Sequence, residues 1–462
     1  MLTRFEVSGF KNLNDVAVEF GSFTCIAGPN AVGKSNLFDA IRFLSGLADS
    51  TFTEVCAGVR SVEKGHSNNL GSLFPEAVML GGESFRIAAE MIVPGKVVDD
   101  FGQEVSPARS YLRYELEFKI EQDSNGVSGN ARLRLENEKL QHVRIKERPY
   151  YFKAHPYLKK YLTGSTKPKD YMTLHSKEDR PYMSVPFEKS GRPRQIPIAD
   201  APRTILSSLA SAEYPTLLAA KTEMVSWRFM ALEPTAMRAP DERMETRPID
   251  AAGAHVPASL YRQSVADGNQ EVYRLLSNDV GELVDVRQLR VVEDNVRQTL
   301  ELRAQVGGAP ELPARSLSDG TLRFLTLAAM AYSPGYIGLL GMEEPENGIN
   351  PAKIRAMLDL LLRLSRPRND CLSQVLINTH SPYLVQGVLG EGADKVLCAV
   401  SWRRQNKGGG EVVSTSFHPL QDTWRSERSG GSGKVLRSQA PVSKSKLFAF
   451  LKSPSSWAEC ES

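Results

Sequence analysis

Cysteine is scarce in this chain: five in 462 residues, Cys25, Cys56, Cys371, Cys398 and Cys460, with no Cys-x-x-Cys pair. Such scatter excludes a disulfide framework and a thiolate zinc site, and it points to a reducing compartment, the cytoplasm. Histidine is nearly as sparse, with seven residues and no paired cluster of the kind a metal-dependent nuclease uses. No uninterrupted apolar run approaches the roughly 20 residues that span a bilayer, so no membrane partner is expected. The first seven residues, Met-Leu-Thr-Arg-Phe-Glu-Val, alternate like a strand and lack a signal-peptide core. Net charge is also small, +3, but unevenly placed. Residues 141–205 hold 14 Lys/Arg against 6 Asp/Glu, and residues 401–462 hold 10 against 5, which leaves the remainder net acidic. Asymmetry of this kind marks a surface for nucleic acid or an acidic partner.

What is present is organised around Gly28-Pro29-Asn30-Ala31-Val32-Gly33-Lys34-Ser35, which matches G-x-x-x-x-G-K-[ST]. The pattern has mechanical meaning only between a strand and a helix, and both are readable. Residues 23–27 are a short apolar run rich in β-formers. Residues 36–47 place Leu37, Ile41, Leu44 and Leu47 at the spacing of a helix buried on one side. Loop N–H groups and the helix N-terminus, from Gly28 to Asn36, would cradle the phosphates of a nucleoside triphosphate. Lys34 would reach the β- and γ-phosphates, and the Ser35 hydroxyl would bind Mg²⁺.

Three later stretches complete a set. Ser316-Leu317-Ser318-Asp319-Gly320-Thr321 precedes a helical pattern and offers hydroxyls, free N–H groups and a positive dipole end to an anion. Residues 337–346 read as an apolar strand ending in Glu343 and Glu344. Glu343 would hold Mg²⁺, and Glu344 would orient or deprotonate an attacking water. Residues 374–378 read as another strand, followed by Thr379-His380-Ser381-Pro382, where His380 could bond the γ-phosphate or that water.

Together these resemble the ABC-type ATPase head, and more closely the SMC/RecF/OLD-like branch of AAA-named ATPases of bacterial genome maintenance and phage defence. The resemblance identifies Gly28 to Ser35 as Walker A, 317–321 as the signature, 339–344 as Walker B and 378–382 as the switch histidine segment. It implies an α/β fold: a mixed sheet core with an antiparallel β meander, an inserted lobe and a helical signature subdomain. It also implies ATP and Mg²⁺ as cofactors, with Glu344 and His380 catalytic and Ser35 and Glu343 on the metal. In trans, Ser316, Ser318, Asp319 and Gly320 would meet ATP held by a second copy, so at least a homodimer is implied. Three positions depart from the usual pattern: Ala31 and Asp319 stand for glycine, and Glu343 for aspartate. Asp319 puts a negative charge near the place where a γ-phosphate would dock.

Lys34 and Ser316 are 282 positions apart, so a large insertion splits the head. It is proline-rich and lacks heptads, which excludes a long coiled coil. The expected organisation is 1–95 for the first half of the head, 96–255 for the meander and inserted lobe, 256–400 for the second half, and 401–462 for a flexible basic tail. In the insert, seven aromatics interleave with lysines. An irregular lobe whose tyrosines form a small core is favoured over a base-stacking surface, and DNA stays a candidate partner through it. Residues 204–218 and 218–228 read as helical, and 259–277 as one helix. After His380 only 82 residues follow, with no Asp-x-Asp, so a fused nuclease is not expected. The favoured function is an ATP-gated sensor or scaffold of antiphage defence working with a separate effector protein. A RecF-like DNA-repair ATPase is the alternative.

Overall fold

The computed structural model describes residues 1–59, 70–122, 131–164, 167, 169–177, 180–188, 191–266, 268, 270–332, 337–367, 371–405, 411–427 and 440–453. Two sheets and the helix between them carry the architecture. The larger has six strands in the order Trp227–Met230, Leu339–Glu343, Val375–Thr379, Phe23–Ala27, Val396–Gln405, Glu411–Pro419. The first five run parallel, and the last closes the edge antiparallel. Its central strands, Val375–Thr379 and Phe23–Ala27, are buried at every residue, as expected of a parallel sheet covered on both faces. The second sheet is an antiparallel meander in the order Val16–Glu19, Leu2–Ser8, Phe85–Ile92, Tyr111–Gln122, Ala131–His142.

Helix Lys34–Leu47 follows the phosphate loop and packs on both sides rather than one. Besides Leu37, Ile41, Leu44 and Leu47 it buries Phe38, Ala40 and Phe43. Phe43 meets Phe10 and Phe85 of the meander layer, with ring centroids 5.5 and 5.6 Å away. Phe38 meets Phe229 of the parallel sheet at 5.6 Å. A helix apolar around most of its circumference belongs in a core. Gln374 fastens the layers: its Nε2 donates to the carbonyls of Leu2 and Gly21 (2.7 and 2.8 Å), and its Oε1 accepts from Leu2 N (3.0 Å).

Several expectations change. Trp227–Met230, read as the end of a helix, is a strand paired in parallel with 339–342. The helix expected over 259–277 is two, Val256–Ala266 and Glu271–Val284, with Gly268 in the left-handed region between them (φ 65°). The division at 95 falls inside the meander, whose strands come from both sides of it. The residues read as a flexible tail include Glu411–Pro419, an edge strand of the main sheet, and the helix Lys444–Lys452. The Gly-rich stretches at 408–410 and 430–433, and Cys460, lie outside the described residues. In the insert, Tyr151, Phe152 and Leu158 form a buried cluster with Met1, Ile92 and Tyr111. Tyr151 and Phe152 therefore serve as core against the meander, whereas Tyr157 is exposed. Among the described residues no helix is long and apolar enough to cross a membrane.

Candidate nucleotide site

Parallel strands that end side by side bring the site together. Glu343 pairs in register with Asn378, Asn378 with Ile26, and Thr379 with Ala27. The carboxyl ends of Leu339–Glu343, Val375–Thr379 and Phe23–Ala27 thus open onto one crevice, the usual ligand position in such sheets. The loop from Gly28 to Gly33 turns there. Ala31 and Gly33 both have left-handed backbone, φ 64° and 94°, which turns successive N–H groups into a concave anion nest. At Ala31 this conformation costs an L-residue roughly 1–2 kcal/mol, the physical reason glycine suits that position.

Packing holds the loop from behind. A Cβ on Gly28 would lie 2.7 Å from the Ala399 carbonyl, and one on Gly33 would lie 2.2 Å from Thr415 Oγ1. Thr415 Oγ1 donates to the Val32 carbonyl (2.7 Å), and Thr415 N donates to Asn12 O (3.0 Å). Asn36 Nδ2 donates to Asn12 Oδ1 (2.7 Å). Neither Asn12 nor Thr415 was singled out from the sequence; Thr415 comes from the supposed tail.

Lys34 is buried and donates to the carbonyls of Gly28 (2.8 Å) and Pro29 (2.7 Å). Burial lowers its pKa, against the pull of Glu344, Glu343 and Glu346. Ser35 Oγ donates to Glu343 Oε2 at 2.5 Å, which joins the two residues expected to share a metal. Glu344 sits at φ 45°, and its N–H donates to the Asn378 carbonyl (2.9 Å). Its carboxylate accepts from Asn347 Nδ2 (2.7 Å) and meets His380 Nδ1 (2.7 Å). Burial opposes ionisation of Glu344, but the bonds from Asn347 and His380 hold its pKa below the ordinary value.

Glu346 was missed as a site residue. It is 8% exposed, takes a bond from Thr379 Oγ1, and burial pushes its pKa upward. Its Oε2 and the neighbouring Asn378 Nδ2 are buried with no partner among the described residues. Three glutamates, 343, 344 and 346, therefore face one lysine and one histidine, with buried polar atoms left over. Excess carboxylate in a crevice fits a divalent cation with oxygen and water ligands.

The signature residues lie on the turn into helix Asp319–Tyr332, with Ser316 ending the 3₁₀ turn before it. Ser318 Oγ accepts from Thr321 N (3.2 Å), as an N-cap does. A Cβ on Gly320 would be 3.6 Å from the Gly348 carbonyl, so the signature adjoins the segment after Glu344. Asp319 is paired with Arg238 (2.5 Å), whose Nη2 also donates to the Leu317 carbonyl (3.1 Å). The negative charge expected to stand open at the signature is therefore neutralised by an arginine 81 residues away.

The Gly28–Ser35 loop, the Ser35–Glu343 pair, the Glu344–His380 pair beside it and the Ser318 turn on a separate helix are arranged as expected of an ABC-type P-loop ATPase head. The family model described as "AAA domain, putative AbiEii toxin, Type IV TA system" matches residues 23–153 and 188–386. The chain belongs to that family. Among solved structures, an SMC head bound to the C-winged helix domain of ScpA is 15% identical, with 90% of this chain and 97% of that one covered and a TM-score of 0.46. The SMC head domain from Thermotoga maritima is 13% identical, covering 91% and 99%, at 0.36. An SMC head with an extended coiled coil, bound to the C-terminal domain of ScpA from Pyrococcus furiosus, is 13% identical, covering 90% and 96%, at 0.39. No match was found among curated proteins.

Proposed function

We propose that this chain hydrolyses ATP in a composite site that forms when two copies close on each other, and that closure gates a separate effector protein in bacterial antiphage defence. The observation that supports hydrolysis best is the Glu344–His380 pair, 2.7 Å apart. It holds an ionised carboxylate at the end of the Walker B strand, where a general base for water belongs. Lys34 exchanges the Gly28 and Pro29 carbonyls for phosphate oxygens, so its buried ammonium gains a compensating charge. Ser35 and Glu343 would hold Mg²⁺, which would neutralise phosphate charge during transfer. Ser316, Ser318 and Gly320 face the γ-phosphate held by the second copy, and the Arg238–Asp319 pair presents that turn without net negative charge. ATP then favours closure because it touches both copies only in the closed arrangement. The family description names a putative toxin of a Type IV TA system, which favours action beside a partner over solitary DNA repair.

The test is molecular mass by light scattering of the Glu344→Gln protein with and without ATP and Mg²⁺, alone and with duplex DNA. ATP-dependent assembly indifferent to DNA is expected. Assembly that requires DNA would replace this reading with a RecF-like DNA clamp, and no ATP-dependent assembly would remove the composite site.

A further inference from the structure

Beyond the meander's outer end, away from the phosphate loop, lies a pocket of about 830 Å³. Three elements wall it: the ends of Tyr111–Gln122 and Ala131–His142, the turn and helix over 144–153, and the 3₁₀ segment with its exit over 159–164. Its floor is apolar, built of Val143, Phe152, Leu162 and the Tyr111 ring. Its walls carry Arg144, Lys146, Lys153 and Lys159, and among the described residues the lining holds no aspartate or glutamate. Arg144 is paired with Glu147 beside the pocket. Among the described residues Lys146, Lys153 and Lys159 have no hydrogen-bond or ion-pair partner. Arg109 lies directly beneath the rim, where a Cβ on Gly164 would come within 2.5 Å of its Cγ, and its Nε is buried without a partner.

Lys146, Lys153 and Lys159 are exposed, so water and salt screen part of their mutual repulsion, and an anion held among them would relieve the rest. The shape narrows the anion further. A nucleic-acid backbone is tracked by cations strung along a groove, whereas these converge on one hollow of small-ligand size. A bare phosphate would leave the apolar floor unused.

We infer that this pocket is a second ligand site, for a polyphosphorylated small molecule with an apolar body, of nucleotide size. The reading does not rest on the phosphate loop. The pocket joins the basic insert to the strand ends of the meander, so such a ligand would be sensed where the insert packs on the rest of the head.

The experiment uses the full chain carrying Lys34→Ala, with inorganic tripolyphosphate and ATP as probes in titration calorimetry. Tripolyphosphate is expected to bind, ATP more tightly because its nucleoside covers the floor, and both at least tenfold more weakly once Lys153→Glu and Lys159→Glu are added. A Lys153→Ala, Lys159→Ala version, with melting temperature checked, guards against misfolding. With Lys34 restored, either pair of substitutions should leave basal ATP turnover unchanged. Binding unaffected by the lysine substitutions, or no binding at millimolar probe, would overturn the site. Equal affinity for the two probes would overturn the nucleotide class. Tighter, strongly salt-dependent binding of a single-stranded oligonucleotide, lost in the same variants, would make the patch a nucleic-acid surface instead. Wild-type ATP affinity in the Lys34→Ala protein that these substitutions do not reduce would count against the phosphate-loop reading, and so separates the two failures.

Discussion

Thr415→Val removes one hydroxyl from a strand that supports the phosphate loop without facing the crevice's carboxylates. The hydroxyl is buried and donates to the Val32 carbonyl at 2.7 Å, while the Thr415 backbone N–H keeps its bond to Asn12. Valine conserves shape, so the change isolates one hydrogen bond. Leaving a buried acceptor unsatisfied costs about 1–3 kcal/mol. In the free protein the loop can shift until water reaches Val32, and the cost is then incurred when nucleotide forces the loop back. At 1.4 kcal/mol per decade, ATP affinity should fall by about 5- to 150-fold. Melting temperature should move by a few degrees at most, because the surrounding strand pairs are untouched. Titration calorimetry with ATP on wild type and variant reads the effect. Unchanged ATP affinity, with only a lower melting temperature, would refute the reasoning and make this strand a support of the fold alone.

Arg238→Ala leaves Asp319 uncompensated. The pair is partly exposed (28% and 53%), so unfolding free energy should change by less than about 1 kcal/mol. ATP-driven assembly should weaken, and Asp319→Asn in the same chain should restore it; assembly untouched by Arg238→Ala would remove the pair from the interface. Gly341→Ala would place a Cβ 2.3 Å from a Phe229 ring carbon, and overpacking of this kind costs about 1–3 kcal/mol; an unchanged denaturation midpoint would contradict the packing of the edge strand. Burial opposes ionisation of Glu6, yet the guanidinium groups of Arg113 and Arg4 bring its pKa down to about 2. The folded-state value is the lower one, so this stabilisation is present above the ordinary carboxylate range and is lost as pH falls through about 2. Glu6→Gln should therefore be less stable than wild type at pH 7, with the gap closing in acid; a gap independent of pH would contradict the ion pairs.

The candidate site's residues could be named from the sequence because its parts are local. Each motif sits at the end of its own apolar strand, and strand ends in a parallel sheet meet by default. What pairs across the fold was not legible. Trp227–Met230 follows a helix with no intervening glycine or proline, and only its parallel partner at 339–342 makes it a strand. The strand Glu411–Pro419 is buried over 414–419, built partly of Ser414, Thr415, Ser416 and His418. Their polar atoms are satisfied by Asn14, Val32, Val400 and Ala440, so no hydrophobic alternation announced it. Arg238 could not be linked to Asp319 without the helix that carries it, and Glu346 reads as one more acid in an acidic stretch, although in the fold Thr379 covers it.

The central claim is that Glu344, held by His380, activates water for attack on bound ATP. The measurement that bears on it most directly is ATP binding and phosphate release by the Glu344→Gln protein against wild type under the same conditions. Glutamine keeps the side chain's size and one acceptor oxygen for either Asn347 or His380, but it cannot take a proton. Binding should therefore be retained while turnover falls by about 10²- to 10⁴-fold. Phosphate release at the wild-type rate would contradict the assignment.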